Sequence, residues 1–138
     1  MLISTRGRYA LRVMVELAEQ KEGAYLPMKE IAEHQEISLK YLERILPVLV
    51  KNGLLEGVQG KSGGYRLTRS PADYRVGEIL RLTDGDLAPV DCAECHGGKC
   101  ERSAHCRTLP MWEDLAKMVN AYFDSITLAD LTRKNTDF

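Results

Sequence analysis

Apolar residues recur at helical spacing through most of the chain, and the breaks fall where glycine, proline or a capping residue would end a helix. From Arg8 to Gln20, Ala10, Val13, Met14, Leu17 and Ala18 fall at i, i+3, i+4, i+7 and i+8, one face of an amphipathic helix, and Gly23 follows as a stop. Pro27 opens a second, short helix over Met28 to Gln35 with Ile31 and Ala32 turned inward; proline suits a first turn because its missing N–H costs nothing there. Glu36-Ile37 makes a tight turn. Ser38 is a natural N-cap for a third helix, whose buried stripe is Leu42, Ile45, Leu46 and Leu49. Pro47 removes a bond to the carbonyl of Glu43, which predicts a kink or an early end, and Gly53 closes the segment.

The period then drops to two. Leu55, Gly57 and Gln59 alternate with Leu54, Glu56 and Val58, and a glycine-dense turn from Gly60 to Gly64 leads into Tyr65-Arg66-Leu67, which predicts a β-hairpin. Its glycines match neither GxGxxG nor the P-loop spacing, and they join two strands instead of opening a helix, so nucleotide binding is set aside. Ser70-Pro71 is a turn, Val76 to Leu82 a short helix ended by Asp84-Gly85, and Leu87 to Val90 an extended linker. Thr108 is placed to cap a long helix from Pro110 to Phe123, and Thr127 to Asp130 starts a last short one. The long helix has more apolar positions than one stripe needs, so it predicts packing on its own domain and on a second copy. A two-fold dimer with Met111, Leu115, Met118, Val119 and Tyr122 at the interface follows.

The expected fold is mostly α with a small β-hairpin wing: a winged helix-turn-helix domain over residues 1–84, a linker and cysteine-rich loop over 85–108, and a dimerisation helix with a C-terminal tail over 109–138. Two short helices joined by a tight turn, the second with a polar face, suit the major groove of double-stranded DNA. Ser38, Lys40, Tyr41, Glu43 and Arg44 are the base- and backbone-facing candidates, with Gln59 and Lys61 on the wing and Ser4, Thr5, Arg6 and Arg8 suited to phosphate oxygens. Charge agrees in sign: residues 1–75 carry 12 Lys and Arg against 9 Asp and Glu, whereas residues 76–138 carry 7 against 11.

All four cysteines lie within one stretch, Cys92, Cys95, Cys100 and Cys106, around Gly97-Gly98. No hydrophobic period runs through it, so it needs a cross-link, a metal or a partner surface to hold a shape. The chain carries no apolar run long enough for a membrane span, and its N-terminus lacks the apolar core of a secretory signal, so the cytoplasm is the expected compartment. There, grouped thiols point to metal binding or redox chemistry more than to structural disulfides. Thiolates suit iron–sulfur clusters, Zn²⁺ and Cu(I), and Lys99, Arg102 and Arg107 would offset an anionic centre. Metal binding, thiol redox sensing and inert surface thiols all remain open at this point. An enzyme or electron carrier is disfavoured: no nucleophile–base or paired-carboxylate constellation is visible, and the winged half would go unexplained.

Four blocks carry a resemblance: Ser4 to Leu11, Ile37 to Arg44, Lys51 to Leu54 and Gly60 to Tyr65, continued by Val76 to Leu80, the cysteines, Trp112 and Ser125 to Leu128. In this order they resemble the IscR-like (Rrf-type) winged helix-turn-helix transcriptional regulators over nearly the whole chain. The resemblance implies a dimeric, operator-binding regulator with an iron–sulfur cluster, of the 2Fe–2S or the 4Fe–4S kind, sensing iron, cluster supply, nitric oxide or redox state. It aligns Cys92, Cys100 and Cys106 with the three ligand cysteines of that family. The chain departs from the pattern where some members place a histidine ligand, here Leu109, and where others place a carboxylate near the start of the first helix, here Arg8. Cys95, with His96 or His105 behind it, is therefore the fourth-ligand candidate. Gln59 stands where several relatives have arginine. The alternatives are a zinc-binding or thiol-based regulator of the same fold, and a regulator controlled by a partner protein with incidental cysteines.

Overall fold

Six helices and one hairpin follow the order helix, helix, helix, hairpin, helix, helix, helix in the computed structural model, which describes residues 2–93 and 100–132. Helix α1 (Thr5–Ala18) starts at Ser4, whose hydroxyl accepts the N–H of Gly7 at 3.0 Å. It begins earlier than the apolar period alone predicts, because a cap sets its start and not the first inward residue. Helices α2 (Met28–Gln35) and α3 (Leu39–Lys51) are joined at Glu36, whose φ of 54° is the left-handed turn between them. Ser38 caps α3 by accepting from Tyr41 N–H at 3.1 Å, as predicted.

Pro47 does not end α3, which runs on to Lys51. The freed carbonyl belongs to Glu43, on the exposed face, where water can take it. Meanwhile Leu42, Ile45, Leu46 and Leu49 are at most 1% exposed and hold the far face down, each worth roughly 1.5–3 kcal/mol of burial. The helix closes with Leu54 N–H on Leu49 carbonyl at 2.9 Å and Gly53 N–H on Val50 carbonyl at 3.0 Å, Gly53 adopting φ 77°.

The wing pairs β1 (Leu55–Val58) antiparallel with β2 (Gly64–Leu67), Leu55 opposite Leu67 and Val58 opposite Gly64. Tyr65 exchanges two backbone hydrogen bonds of 2.9 Å with Leu26, which ties the hairpin to the segment before α2. A 3₁₀ turn at Pro71–Asp73 leads to Tyr74, fully buried, and then to α4 (Val76–Asp84).

Helix α5 (Leu109–Ser125) lies against α4, and α6 (Leu128–Leu131) returns the chain to its first half. The last helix starts at Thr127 as expected, with a capping box between Thr127 and Asp130; Leu128 enters the main core beside α1, and Val76 N–H reaches Ile126 carbonyl at 2.9 Å. A smaller apolar cluster of Val76, Leu80 and Leu87 receives Val119, Phe123 and Ile126 from the α5 side. Thr108 precedes α5 but does not cap it. It has turned into a helical backbone conformation, and its hydroxyl meets Cys106 Sγ at 3.3 Å instead. Among the described residues no helix is long and apolar enough to cross a membrane.

Candidate nucleic-acid interface and thiol segment

The outward face of α3 carries Leu39, Lys40, Glu43 and Arg44, all exposed, with Ser38 at its start. Tyr41 is half-buried and packs edge-on against Tyr9 of α1, ring centroids 5.2 Å apart. That contact sets α1 beside the first turn of α3. Arg12 lies over the Tyr9 ring at 5.1 Å, and its guanidinium also donates to the side chain and carbonyl of Gln35. Sequence reasoning passed over Arg12; its spacing of four from Arg8 was the available signal. Behind it Glu16 is buried and takes hydrogen bonds from Gln35 and from the half-exposed His34, so α1 and α2 are pinned together on this side.

The four N-terminal candidates divide. Arg8 is exposed and its guanidinium donates to Thr5 Oγ1 at 3.0 Å. Ser4 instead faces Asp84 at the end of α4: its N–H donates to one carboxylate oxygen at 2.8 Å and its hydroxyl to the other. Arg6 donates to the Thr83 carbonyl at 2.9 Å. Burial pushes the Asp84 carboxyl up, but the hydrogen bonds from Ser4 and Thr83 and the nearby Arg6 charge hold it below the usual carboxylate range. On the wing, Gln59 and Lys61 are exposed at the turn, and Arg66, paired with Glu56 at 2.6 Å and lying 4.4 Å over Tyr25, stiffens the strands behind them.

Helix α5 has two apolar faces. Met111, Leu115, Met118 and Tyr122, spaced by four, three and four, are 53, 38, 67 and 60% exposed. Val119, grouped with them in the sequence, turns the other way into the α4 cluster. Arg81 of α4 clamps the C-terminal half of α5, donating to both Asp124 oxygens at 2.8 Å and to Asn120 at 2.7 Å. Gly77 leaves room for that clamp; a Cβ there would meet Asp124 at 2.1 Å.

Of the thiols, Cys92 sits half-buried in a 3₁₀ turn (Asp91–Ala93) that packs against α5. Cys100 is exposed. Cys106 is half-buried just ahead of α5, where the Thr108 hydroxyl and then the Thr108 and Leu109 backbone N–H groups hold its thiol below the ordinary range. All three are free thiols. His105 is exposed in the turn Ser103–His105, and Cys95 and His96 lie outside the described residues. Among the described residues no three His, Cys, Asp or Glu side chains gather as a metal-binding group. The donor chemistry nonetheless fits a thiolate-bound centre: unpaired sulfurs, one already polarised toward thiolate, with Arg102 beside it.

The family model of Rrf2, described as iron-dependent transcriptional regulators, matches residues 3–134. The chain belongs to the Rrf2 family. The HTH-type transcriptional regulator IscR of Vibrio atlanticus (strain LGP32) is 35% identical over 136 residues, 98% of this chain and 77% of that protein. IscR of Escherichia coli O1:K1 / APEC is 36% identical over 132 residues, covering 95% and 80%. Among solved structures, T. potens IscR is similar with a TM-score of 0.75 at 37% identity, covering 95% of this chain and 85% of that one. CymR, described as the global cysteine regulator of B. subtilis, is similar with a TM-score of 0.78 at 32% identity, covering 97% and 98%. As an Rrf2 member the chain is a DNA-binding transcriptional regulator with the winged helix-turn-helix fold, and it is not an enzyme.

Proposed function

We propose that this Rrf2 regulator acts in the cytoplasm as a homodimer whose hold on a double-stranded operator is set by an iron–sulfur cluster on Cys92, Cys100 and Cys106. The observation that carries the reading is the attachment of two of these cysteines to one helix. The turn holding Cys92 packs on α5, and the Cys106 sulfur is hydrogen-bonded at its first turn. When bound, such a cluster supplies an iron- and redox-sensitive cross-link between the thiolates.

What the chain's own residues do is transmit position. Arg81 joins α5 to α4, Ser4 and Arg6 join α1 to the end of α4, and Tyr9 joins α1 to Tyr41 of α3. A shift of α5 thereby reaches the helix proposed for the major groove, where Lys40, Glu43 and Arg44 face the bases and backbone. Thr5, Arg8, Gln59 and Lys61 supply flanking contacts. The fourth ligand would come from Cys95, His96 or His105.

Anaerobically purified protein is expected to show sulfur-to-iron charge-transfer absorption in the visible and about two iron atoms per chain, or about four for the larger cluster. Bound zinc without those bands would replace the cluster with a structural Zn²⁺ site. Replacing Cys92, Cys100 and Cys106 together by alanine should change operator affinity by roughly 5- to 150-fold, a coupling of about 1–3 kcal/mol. An unchanged affinity would refute control through these thiols and favour a regulator read by a partner protein.

The dimer reading is supported by the stripe Met111, Leu115, Met118 and Tyr122, too apolar and too aligned for a solvated helix face. Light scattering at micromolar concentration should give a dimer for the native chain and a folded monomer for Met118→Lys. A native monomer, or a dimer that survives the lysine, would remove α5 as the interface.

A further inference from the structure

Asp84 stands where a carboxylate does α4 no good. It is the last residue of that helix, at the end whose free carbonyls already carry negative partial charge. It also lies beside the basic start of α1, the segment read above as a source of phosphate contacts. Its partners explain it. One oxygen takes the Ser4 N–H, the other takes the Ser4 hydroxyl, and that hydroxyl in turn accepts from Gly7 N–H at 3.0 Å. The carboxylate therefore sits on the N-terminus of α1, where the helix dipole favours negative charge.

The neighbouring residue repeats the attachment, for the Thr83 carbonyl receives Arg6 at 2.9 Å. Between the two helices Gly7 is buried, and a Cβ on it would stand 2.9 Å from Asp84 and 3.0 Å from Thr83 Oγ1. Two consecutive residues of α4 thus clamp the first turn of α1 without space for a side chain between them. Thr5 and Arg8 make no contact with Asp84; they are bonded to one another, and the Arg8 guanidinium also donates to the Ser4 carbonyl at 3.5 Å.

We infer that Asp84 is a positioning residue for operator binding, acting through Ser4 to hold the first turn of α1 where Thr5 and Arg8 meet the phosphate backbone. Asp84 makes no contact with DNA itself. The inference rests on the reading of Thr5 and Arg8 as phosphate donors. Its useful property is a sign. Deleting a carboxylate near a DNA-binding surface raises affinity if charge alone matters, because a repulsion is removed. Releasing the clamp lowers affinity, because a phosphate contact is misplaced.

The test compares the full native chain with Asp84→Asn, Ser4→Ala, their double variant and Arg8→Ala, against one duplex selected from a random library by the native protein. Asp84→Asn removes the charge while keeping the shape, and Ser4→Ala removes the partner without changing charge. Both should weaken binding by about 10-fold, the effect of one charge-assisted contact. Both should also make the plot of log affinity against log salt shallower by about one, as should Arg8→Ala. The double variant should be no weaker than the worse single. Thermal unfolding of each variant separates a misplaced turn from a lost fold, and the charge-neutral Ser4→Ala keeps the test valid if Asp84→Asn is poorly folded. Tighter or unchanged binding by Asp84→Asn and Ser4→Ala, with Arg8→Ala weakened, overturns the clamp alone. No change of salt slope in Arg8→Ala overturns the phosphate reading of this turn, and the inference with it.

Discussion

A Gly64→Ala variant is expected to release the wing from the body of the protein. Gly64 has φ 148°, a conformation that L side chains rarely adopt, and a Cβ built on it falls 2.3 Å from the Leu26 carbonyl oxygen, 2.4 Å from its carbon and 2.7 Å from Pro27 nitrogen. All three obstacles are backbone, so no rotamer change relieves them. The strained conformation costs about 1–3 kcal/mol and the overlap a similar amount, so a loss of about 3 kcal/mol or more is expected. It falls on the point where Tyr65 and Leu26 exchange hydrogen bonds, so β2 should peel away there. The thermal midpoint should drop by about 10 °C or more, and amide exchange should speed up first at Leu26 and Tyr65. Gly60→Ala is the control: its φ of 110° is also strained, but nothing lies within 4 Å of the added carbon. Equal effects from the two would show that the close approach to Leu26 contributes nothing.

Tyr74→Phe is the second. The ring is fully buried, and its hydroxyl donates to the Leu54 carbonyl at 2.7 Å while accepting from the N–H groups of Thr68 at 2.9 Å and Arg69 at 3.1 Å. One oxygen thus holds the start of β1 to the chain leaving β2. Phenylalanine keeps the volume and leaves these backbone groups short of a partner. Each such loss costs about 1–3 kcal/mol, partly offset at Leu54, whose carbonyl the Thr68 hydroxyl also reaches at 3.3 Å. A net loss of about 2–4 kcal/mol is expected by urea unfolding, with operator binding weakened as the wing loosens. A loss under about 0.5 kcal/mol would mean that water replaces the hydroxyl, and the bracing role would fall.

Tyr74 also marks where the sequence stops being readable. The apolar stripes of α1, α3 and α5 were legible because periodic burial writes itself into residue spacing, and so was the cap at Ser38, which acts within three residues of itself. Tyr74 lies between a turn and a helix, in no period, and its partners are 5 to 20 residues away. Ser4 shows the same limit from the other side. A serine ahead of an arginine-bearing helix reads as a phosphate donor, yet its partner is Asp84, which no local rule brings near. Pro47 misled because the rule counts the lost hydrogen bond and omits the buried stripe beneath it. Thr108 misled because a cap needs extended backbone, and its backbone is already helical. Of the candidate site, the grouping of cysteines was legible, whereas the packing of the Cys92 turn on α5 and the bond from Cys106 to Thr108 were not, since both depend on how α5 packs.

That packing fixes how α5 can move. Its C-terminal end is held four ways, by Arg81 on Asp124 and Asn120, by the Val76 bond to Ile126, by the Thr127 box and by Leu128 in the core. Just ahead of its first turn Cys106 is hydrogen-bonded to Thr108, and the turn that carries Cys92 packs on the same helix. At 1.5 Å per residue the helix is about 26 Å long, so a swing of about 5° about its held end carries its first turn roughly 2 Å. On the reading proposed above, Cys106 stands at the long arm of this lever and the DNA-binding body at the short arm, so a force applied at the sulfur is multiplied where the helix is held.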